Sequence, residues 1–72
     1  MGKDMTFFLF IGMFQGLNDQ TRAFRKERKA EHAFKEYTGY DWNKVNSDVK
    51  ICDELGDSDY SGSEIQEVQI EA

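Results

Sequence analysis

The string with the most recognisable chemistry is Asp57-Ser58-Asp59-Tyr60-Ser61-Gly62. It matches the first half of a calcium-binding loop, in which oxygen ligands occupy positions 1, 3 and 5 and a glycine occupies position 6. The bidentate acid of position 12 is missing, because that position is Val68 and the nearest acid is Glu67. The string therefore predicts a solvated acidic turn in a mobile acidic loop over residues 56–63, with a weak calcium-binding module as an alternative function.

Catalytic chemistry lacks its usual partners in this chain. There is one histidine, His32, and one cysteine, Cys52, whereas a zinc site needs several such ligands. A reactive thiol needs a base or a cation beside it, but Cys52 precedes Asp53 and Glu54. No glycine-rich phosphate-binding motif is present. Paired carboxylates would need a cleft, which 72 residues are too few to build. We expect no enzymatic activity, no cofactor and no metal site.

Charge is unevenly distributed along the chain. Residues 1–47 contain eight basic and six acidic residues, for a net charge of +2, whereas residues 48–72 contain one basic and eight acidic residues, for −7. Six of the basic residues lie between Arg22 and Lys35. The acidic part supplies the predicted partner-binding residues Asp53, Glu54, Asp57, Asp59, Glu64 and Glu67.

Three interpretations of this charge pattern compete. The charges could be solvated faces, with the basic helix partly neutralised by acidic strands beside it. Alternatively, the acids could form a docking surface for a protein with a basic surface, since spaced carboxylates imitate a phosphate backbone and speed encounter. Direct nucleic-acid binding by the basic helix is disfavoured, because the pI is about 4.7.

Hydrophobic patterning predicts the elements that would carry these charges. Residues 6–14 are rich in Phe, Leu and Ile at both parities, which favours a central strand buried on both faces, with Gly12 at a bulge or a close approach. Residues 20–25 form either a second strand of a hairpin or the first turn of a helix, and we favour the hairpin slightly. Ala30, Phe34 and Tyr37 share one face of a helix over residues 26–38. Gly39 follows as its C-cap.

The rest of the chain has weaker signals. We expect a loop over residues 40–47 whose aromatic side chains close the core, and a short strand over residues 48–53. The last strand covers residues 65–72, with Val68 and Ile70 on its buried side. The predicted fold is a single α+β domain over residues 1–72, with a small mainly antiparallel sheet of three to four strands and one helix packed on one face.

The longest apolar run, of about 13 residues, is shorter than the roughly 20 that a membrane-spanning helix needs. We expect a cytoplasmic protein that binds neither membranes nor nucleic acid directly. Its layout, acidic second half and lack of a catalytic constellation resemble those of the small accessory proteins that bacteriophages make to disable host proteins. This resemblance rests on no motif.

The leading hypothesis is therefore a non-enzymatic acidic protein-binding module that inhibits a host nucleic-acid-binding or other basic protein. A structural or self-associating subunit that pairs through an open sheet edge or the Phe-rich strand is the alternative.

Overall fold

The computed structural model describes residues 5–71. In chain order the elements are β1 (Met5–Phe14), β2 (Leu17–Phe24), α1 (Glu27–Thr38), α2 (Trp42–Ser47), α3 (Val49–Gly56) and β3 (Glu64–Ile70). The strands form one antiparallel sheet in the order β2-β1-β3. The α+β class and the small antiparallel sheet are confirmed, but the described part of the chain contains three helices where one was predicted.

β1 lies in the centre of the sheet, as predicted, but its two faces are buried unequally. Phe10 is fully buried on the face that α1 covers, where its ring packs against those of Phe34 and Tyr37 at centroid distances of 6.1 and 5.6 Å. The opposite face, called the outer sheet face below, is only half-buried. The large apolar side chains of β1 and β3 on the outer sheet face are Met5, Phe7, Leu9, Ile11, Val68 and Ile70. The prediction of burial on both faces is therefore wrong.

β1 and β2 form the favoured hairpin through Gln15 and Gly16, both of which have positive φ angles, of 50° and 82°. The pairing register shifts between Gly12 and Met13, which confirms the predicted bulge. A Cβ on Gly12 would lie 3.1 Å from the ring of Tyr37. Glycine at this position therefore lets α1 approach the sheet.

α1 confirms the helix predicted over residues 26–38. Ala30 and Phe34 are completely buried on its inner face. Gly39 ends the helix with a φ of 83°, and its amide donates to the Lys35 carbonyl over 2.8 Å. A left-handed C-cap of this kind favours glycine.

The predicted loop over residues 40–47 and the predicted strand over residues 48–53 are wrong, because both regions are helical. Asp41 caps α2 by accepting from the Asn43 amide over 2.9 Å. Asp48 caps α3 in the same way, accepting from the Lys50 amide over 3.0 Å. Each cap satisfies a backbone N–H group in the first turn that has no acceptor within the helix.

Packing then fixes the two short helices. The Trp42 ring lies 5.0 Å from that of Phe34, and Tyr40 also packs against the core, as predicted. In α3, Ile51 and Leu55 contact the same core from one helical face. Val49 and Ile51 alternate with polar residues as in a strand, but Ile51 and Leu55 are four residues apart and share a helical face. Val49 is left 77% exposed.

β3 confirms the last predicted strand, but its orientation differs from the prediction. Ile65 is the residue that packs into the core beside Phe10, its partner in β1. Val68 and Ile70 face the other way, and Ile70 is 49% exposed. The side predicted to be buried is therefore part of the outer sheet face.

Candidate functional site

The exposed acids at the end of α3 are positioned by its buried side. Ile51 and Leu55 turn inward, so that Asp53 and Glu54 point to solvent. Asp57 follows as the exposed C-cap residue, one turn after Asp53. These three acids, Asp53, Glu54 and Asp57, are called the acidic helix end below.

The acidic helix end opposes the helix dipole. The last turn of a helix exposes carbonyl oxygens equivalent to about half a negative charge, which favours cations and disfavours carboxylates. No basic residue lies in the last turn of α3. Each misplaced carboxylate costs about 0.3–1 kcal/mol at low ionic strength. The sequence thus places three acids where local stability argues against them.

Asp59 lies in the turns that follow α3, and these turns are tied to the β1–β2 hairpin. Its carbonyl accepts from the Gln15 amide over 2.7 Å. Ser63 reinforces the connection, since its hydroxyl accepts from the Met13 amide over 2.8 Å. The predicted mobility of residues 56–63 remains a prediction, but the segment has a hydrogen-bonded path in this structure.

Glu64 and Glu67 lie on opposite faces of the sheet. Glu64 pairs with Ile11 on the outer sheet face, whereas Glu67 pairs with Phe8 and lies on the helix side, near the start of α1. Residues three apart on a strand must diverge in this way. The six predicted acids therefore do not share one surface, and the acidic helix end is the set that α3 itself brings together.

The calcium-loop hypothesis gains no geometric support. Ser58 directs its hydroxyl back to the Leu55 carbonyl over 2.7 Å, where it serves the turn. The string is preceded by α3 but followed by strand β3, not by a second helix. Among residues 5–71 there is no group of three or more Asp, Glu, His or Cys side chains that could hold a metal ion.

The opposite charges are not paired with each other. The single contact of salt-bridge length among residues 5–71 joins His32 Nε2 to Glu36 Oε1 over 2.9 Å, both exposed on α1, and it is an ion pair only when His32 is protonated. Glu31 and Lys35 are one helical turn apart but form no ion pair, and Glu31 instead accepts from the Asn43 side chain over 2.7 Å. Within residues 5–71, any partial neutralisation of the basic helix by the acidic strands is therefore not carried by ion pairs.

In the first turns of α1, acidic and basic side chains lie on different sides of the helix. Glu27 and Glu31 lie on one side, and the hydrogen bond that protonated Glu27 can donate to Glu31 is the first cause of a raised pKa of Glu27. Partial desolvation and the negative charges of Glu31 and Glu67 add to it. The basic residues of the first turns lie on the side that faces β2.

Between α1 and β2 runs a groove with a volume of about 540 Å³, called the basic groove below. Its lining is Arg22, Phe24, Arg28, Lys29, His32, Ala33 and Glu36. Sequence reasoning missed it. The sequence does show that Arg28, His32 and Glu36, spaced four residues apart, share one face of a helix. The strand that faces them across the groove could not be predicted, because residues 20–25 could be either strand or helix.

Tyr37 lies beyond the far end of this groove. Its hydroxyl donates to Asp19 Oδ2 over 2.9 Å. Burial, with the hydrogen bond and charge of Asp19, raises the pKa of Tyr37 to about 12. The phenol therefore remains a donor throughout the neutral range.

The chain matches no family model, and neither the curated proteins nor the solved structures include a significant match to it. No helix within residues 5–71 has the length and apolar character needed to cross a membrane.

Proposed function

We propose that this chain is a non-enzymatic protein-binding module that presents the acidic helix end to a basic surface of another protein. The observation that carries the proposal is the concentration of unpaired carboxylates at the negative end of α3. A sequence that departs from local preference without compensation inside the fold is expected at functional sites.

Binding would reduce the unfavourable electrostatic energy of the acidic helix end in the isolated chain. Lysines and arginines of a partner, brought against the carbonyl end of α3, would screen both the carboxylates and the helix dipole. The same field would steer a basic partner towards this surface and raise the association rate at low ionic strength. Where the partner's basic surface is its nucleic-acid site, occupation by the acidic helix end would inhibit it by competition.

The proposal of a non-enzymatic role is supported by the position of the two side chains most suited to catalysis. His32 is exposed and engaged with Glu36 on α1. Cys52 is exposed on α3, which corrects the strand position predicted for it. The basic groove contains His32 but is lined by no serine, threonine or cysteine that it could activate.

The test compares two triple variants that remove the same charge. Asp53→Asn/Glu54→Gln/Asp57→Asn neutralises the acidic helix end, and Glu64→Gln/Glu67→Gln/Glu71→Gln neutralises three acids in and after β3. Proteins captured from a lysate of the source cells at low salt would be identified, and their affinities for the wild type and both variants measured. We expect the first variant to lose at least tenfold in affinity and the second to lose little. Equal losses would show that only net charge matters, and would overturn the proposal.

A second candidate function, self-association, is favoured by the outer sheet face. Six large apolar side chains lie there with no helix or strand covering them among residues 5–71, although the Arg25 guanidinium lies over the Phe7 ring at 5.2 Å from its centroid. Ile70 is the most exposed of the set at 49%. Apolar surface of this kind is a recognised site of association.

Two neighbouring substitutions on β3 test self-association. Ile70→Lys places a charge on the outer sheet face, whereas Gln69→Lys places the same charge on the other face of the sheet. Sedimentation of the wild type over a hundredfold concentration range should show a dimer that only Ile70→Lys abolishes. A wild type that is monomeric throughout would remove this candidate.

A further inference from the structure

The basic groove has the dimensions of a small-molecule site. Its volume of about 540 Å³ falls within the roughly 300–1,000 Å³ typical of sites for organic ligands. One wall is edge strand β2, and the other is the face of α1 that begins at Arg28. Phe24 and Ala33 contribute apolar surface between the charged side chains.

The cations of this groove have no internal counter-ion. Arg22, Arg28 and Lys29 all line it, and no carboxylate oxygen among residues 5–71 lies within 4 Å of their side-chain nitrogens. Glu31, which lies three residues after Arg28 on α1, instead accepts from the Asn43 side chain over 2.7 Å. In a chain with fourteen acidic residues, three neighbouring cations without a partner leave a site for an external anion.

One of these cations is held in place before any ligand arrives. The Arg22 guanidinium lies over the Phe24 ring, with its central carbon 4.9 Å from the ring centroid. Stacking of this kind restricts a long side chain and leaves the N–H groups at the edge of the guanidinium free. A planar fork of donors matches two oxygens of a phosphate group.

The groove changes polarity along its length. Arg28 and Lys29 stand at the start of α1, and Glu36 is eight residues further along, or about 12 Å at the helical rise. A smaller recess of about 210 Å³ adjoins this end and is lined by Gln20, Arg22, Ala33, Glu36 and Tyr37. An elongated ligand could therefore place an anion at one end and hydrogen-bond donors at the other.

We propose that the basic groove binds a small organic phosphate, a phosphomonoester of about mononucleotide size. The phosphate lies between Arg22, Arg28 and Lys29, and the organic body lies along Ala33 with its donor groups towards Glu36. This site is separate from the acidic helix end, so that the two proposals can fail independently.

The test is a titration followed by amide chemical shifts, with adenosine 5′-monophosphate as the probe. Adenosine, which lacks the phosphate, and inorganic phosphate, which lacks the organic body, are the two ligand controls. We expect the monophosphate to shift the amides of β2 and the first half of α1, and to bind at least tenfold more tightly than either control.

Paired variants locate the site. Arg22→Gln/Arg28→Gln removes two groove cations, and Lys44→Gln/Lys50→Gln removes the same charge from α2 and α3. All four side chains are exposed, so both variants should fold, which their amide spectra would verify. The groove variant should lose at least tenfold in affinity for the monophosphate, and the control variant less than twofold.

Several outcomes would overturn the proposal. Equal binding of adenosine or of inorganic phosphate would remove the organic-phosphate assignment. An equal loss in both variants would reduce the effect to net charge. Tighter binding, per site, of an eight-nucleotide single-stranded DNA would assign the groove to nucleic acid.

Discussion

The start of α1 and the end of α3 both carry charge of the sign that a helix dipole disfavours, but their surroundings differ. α1 begins with Lys26 at its N-cap, without a side-chain capping bond, and its first turn contains Arg28 and Lys29 together with one favourable acid, Glu27. α3 ends in the acidic helix end and has no basic residue in its last turn. The α1 cations line a walled groove, whereas the α3 acids stand exposed on one short helix.

This difference in shape separates the ligands that each region suits. A groove with two walls can surround a small molecule and strip it of water. Exposed acids on one helix can meet only a surface, which has to come from another macromolecule. The two proposals therefore assign the opposite charges of one small chain to two kinds of recognition, because the fold keeps these charges from pairing.

The largest expected effect comes from the ring on which both regions depend. Phe34 is fully buried and packs against Phe10 in the sheet and Trp42 in α2. Phe34→Ala should destabilise the fold by about 3–5 kcal/mol, because it leaves a cavity. Urea unfolding would measure this loss, and Phe14→Ala, at a side chain that is 39% exposed, should cost clearly less. If the α3 amides kept their protection in the Phe34 variant, the two regions would not share a core.

The second effect should separate the two regions. Asp48→Ala removes the cap of α3 and should cost about 1 kcal/mol. Amide hydrogen exchange should accelerate in α3 and at the acidic helix end, with little change along the basic groove. Asp41→Ala, which removes the equivalent cap of α2, is the matched control. Faster exchange throughout α1 in the Asp48 variant would contradict the separation.

A third effect of similar size concerns the far end of the groove and depends on pH. The pKa of Tyr37 is raised to about 12, so the neutral phenol is favoured in the folded state. The stability this provides is complete below the ordinary tyrosine pKa of about 10 and is lost as the pH rises towards 12.

Tyr37→Phe tests this directly. It removes the hydrogen bond to Asp19 and should cost about 1 kcal/mol at neutral pH. The wild-type advantage over the variant should shrink between pH 10 and 12, as measured by urea unfolding at each pH. An advantage that stayed constant over this interval would refute the assignment.

The smallest expected effect is the gain in stability when the charges that the helix dipoles disfavour are removed. Asp53→Asn/Asp57→Asn should stabilise the chain by roughly 0.3–1 kcal/mol per site at low salt, because carboxylates leave the negative end of a helix. Arg28→Gln/Lys29→Gln should stabilise it for the mirror-image reason at the positive end of α1. Thermal unfolding at low salt measures both. A loss of stability in either variant would reveal a favourable internal partner for the charges removed.

The sequence predicted those parts of the fold in which one pattern dominates. The apolar run of β1 indicates a central strand, and the apolar periodicity of α1 before Gly39 indicates a helix. α2 and α3 were missed because each is short and the determining residues are the caps Asp41 and Asp48. In α3, two apolar residues in alternation outweighed the spacing of Ile51 to Leu55.

The site was less predictable than the fold. The acids could be counted, but their separation by the sheet, with Glu64 on one face and Glu67 on the other, depends on the exact residue at which β3 pairs with β1. The basic groove requires Arg22 and Arg28 to meet across two elements. One of those elements was ambiguous between strand and helix in the sequence.

Among residues 5–71, the acidic and basic regions do not neutralise each other through ion pairs. The free energy of unfolding, measured by urea titration between 20 and 300 mM sodium chloride, tests this most directly. Salt screens exposed charges over about 10 Å at 0.1 M, so a fold with misplaced helix-end charges should gain stability as salt rises. The gain should be smaller in the Asp53→Asn/Glu54→Gln/Asp57→Asn variant. A wild type that loses stability with salt would show that favourable pairs between the acidic and basic regions hold the fold together, and would contradict the account.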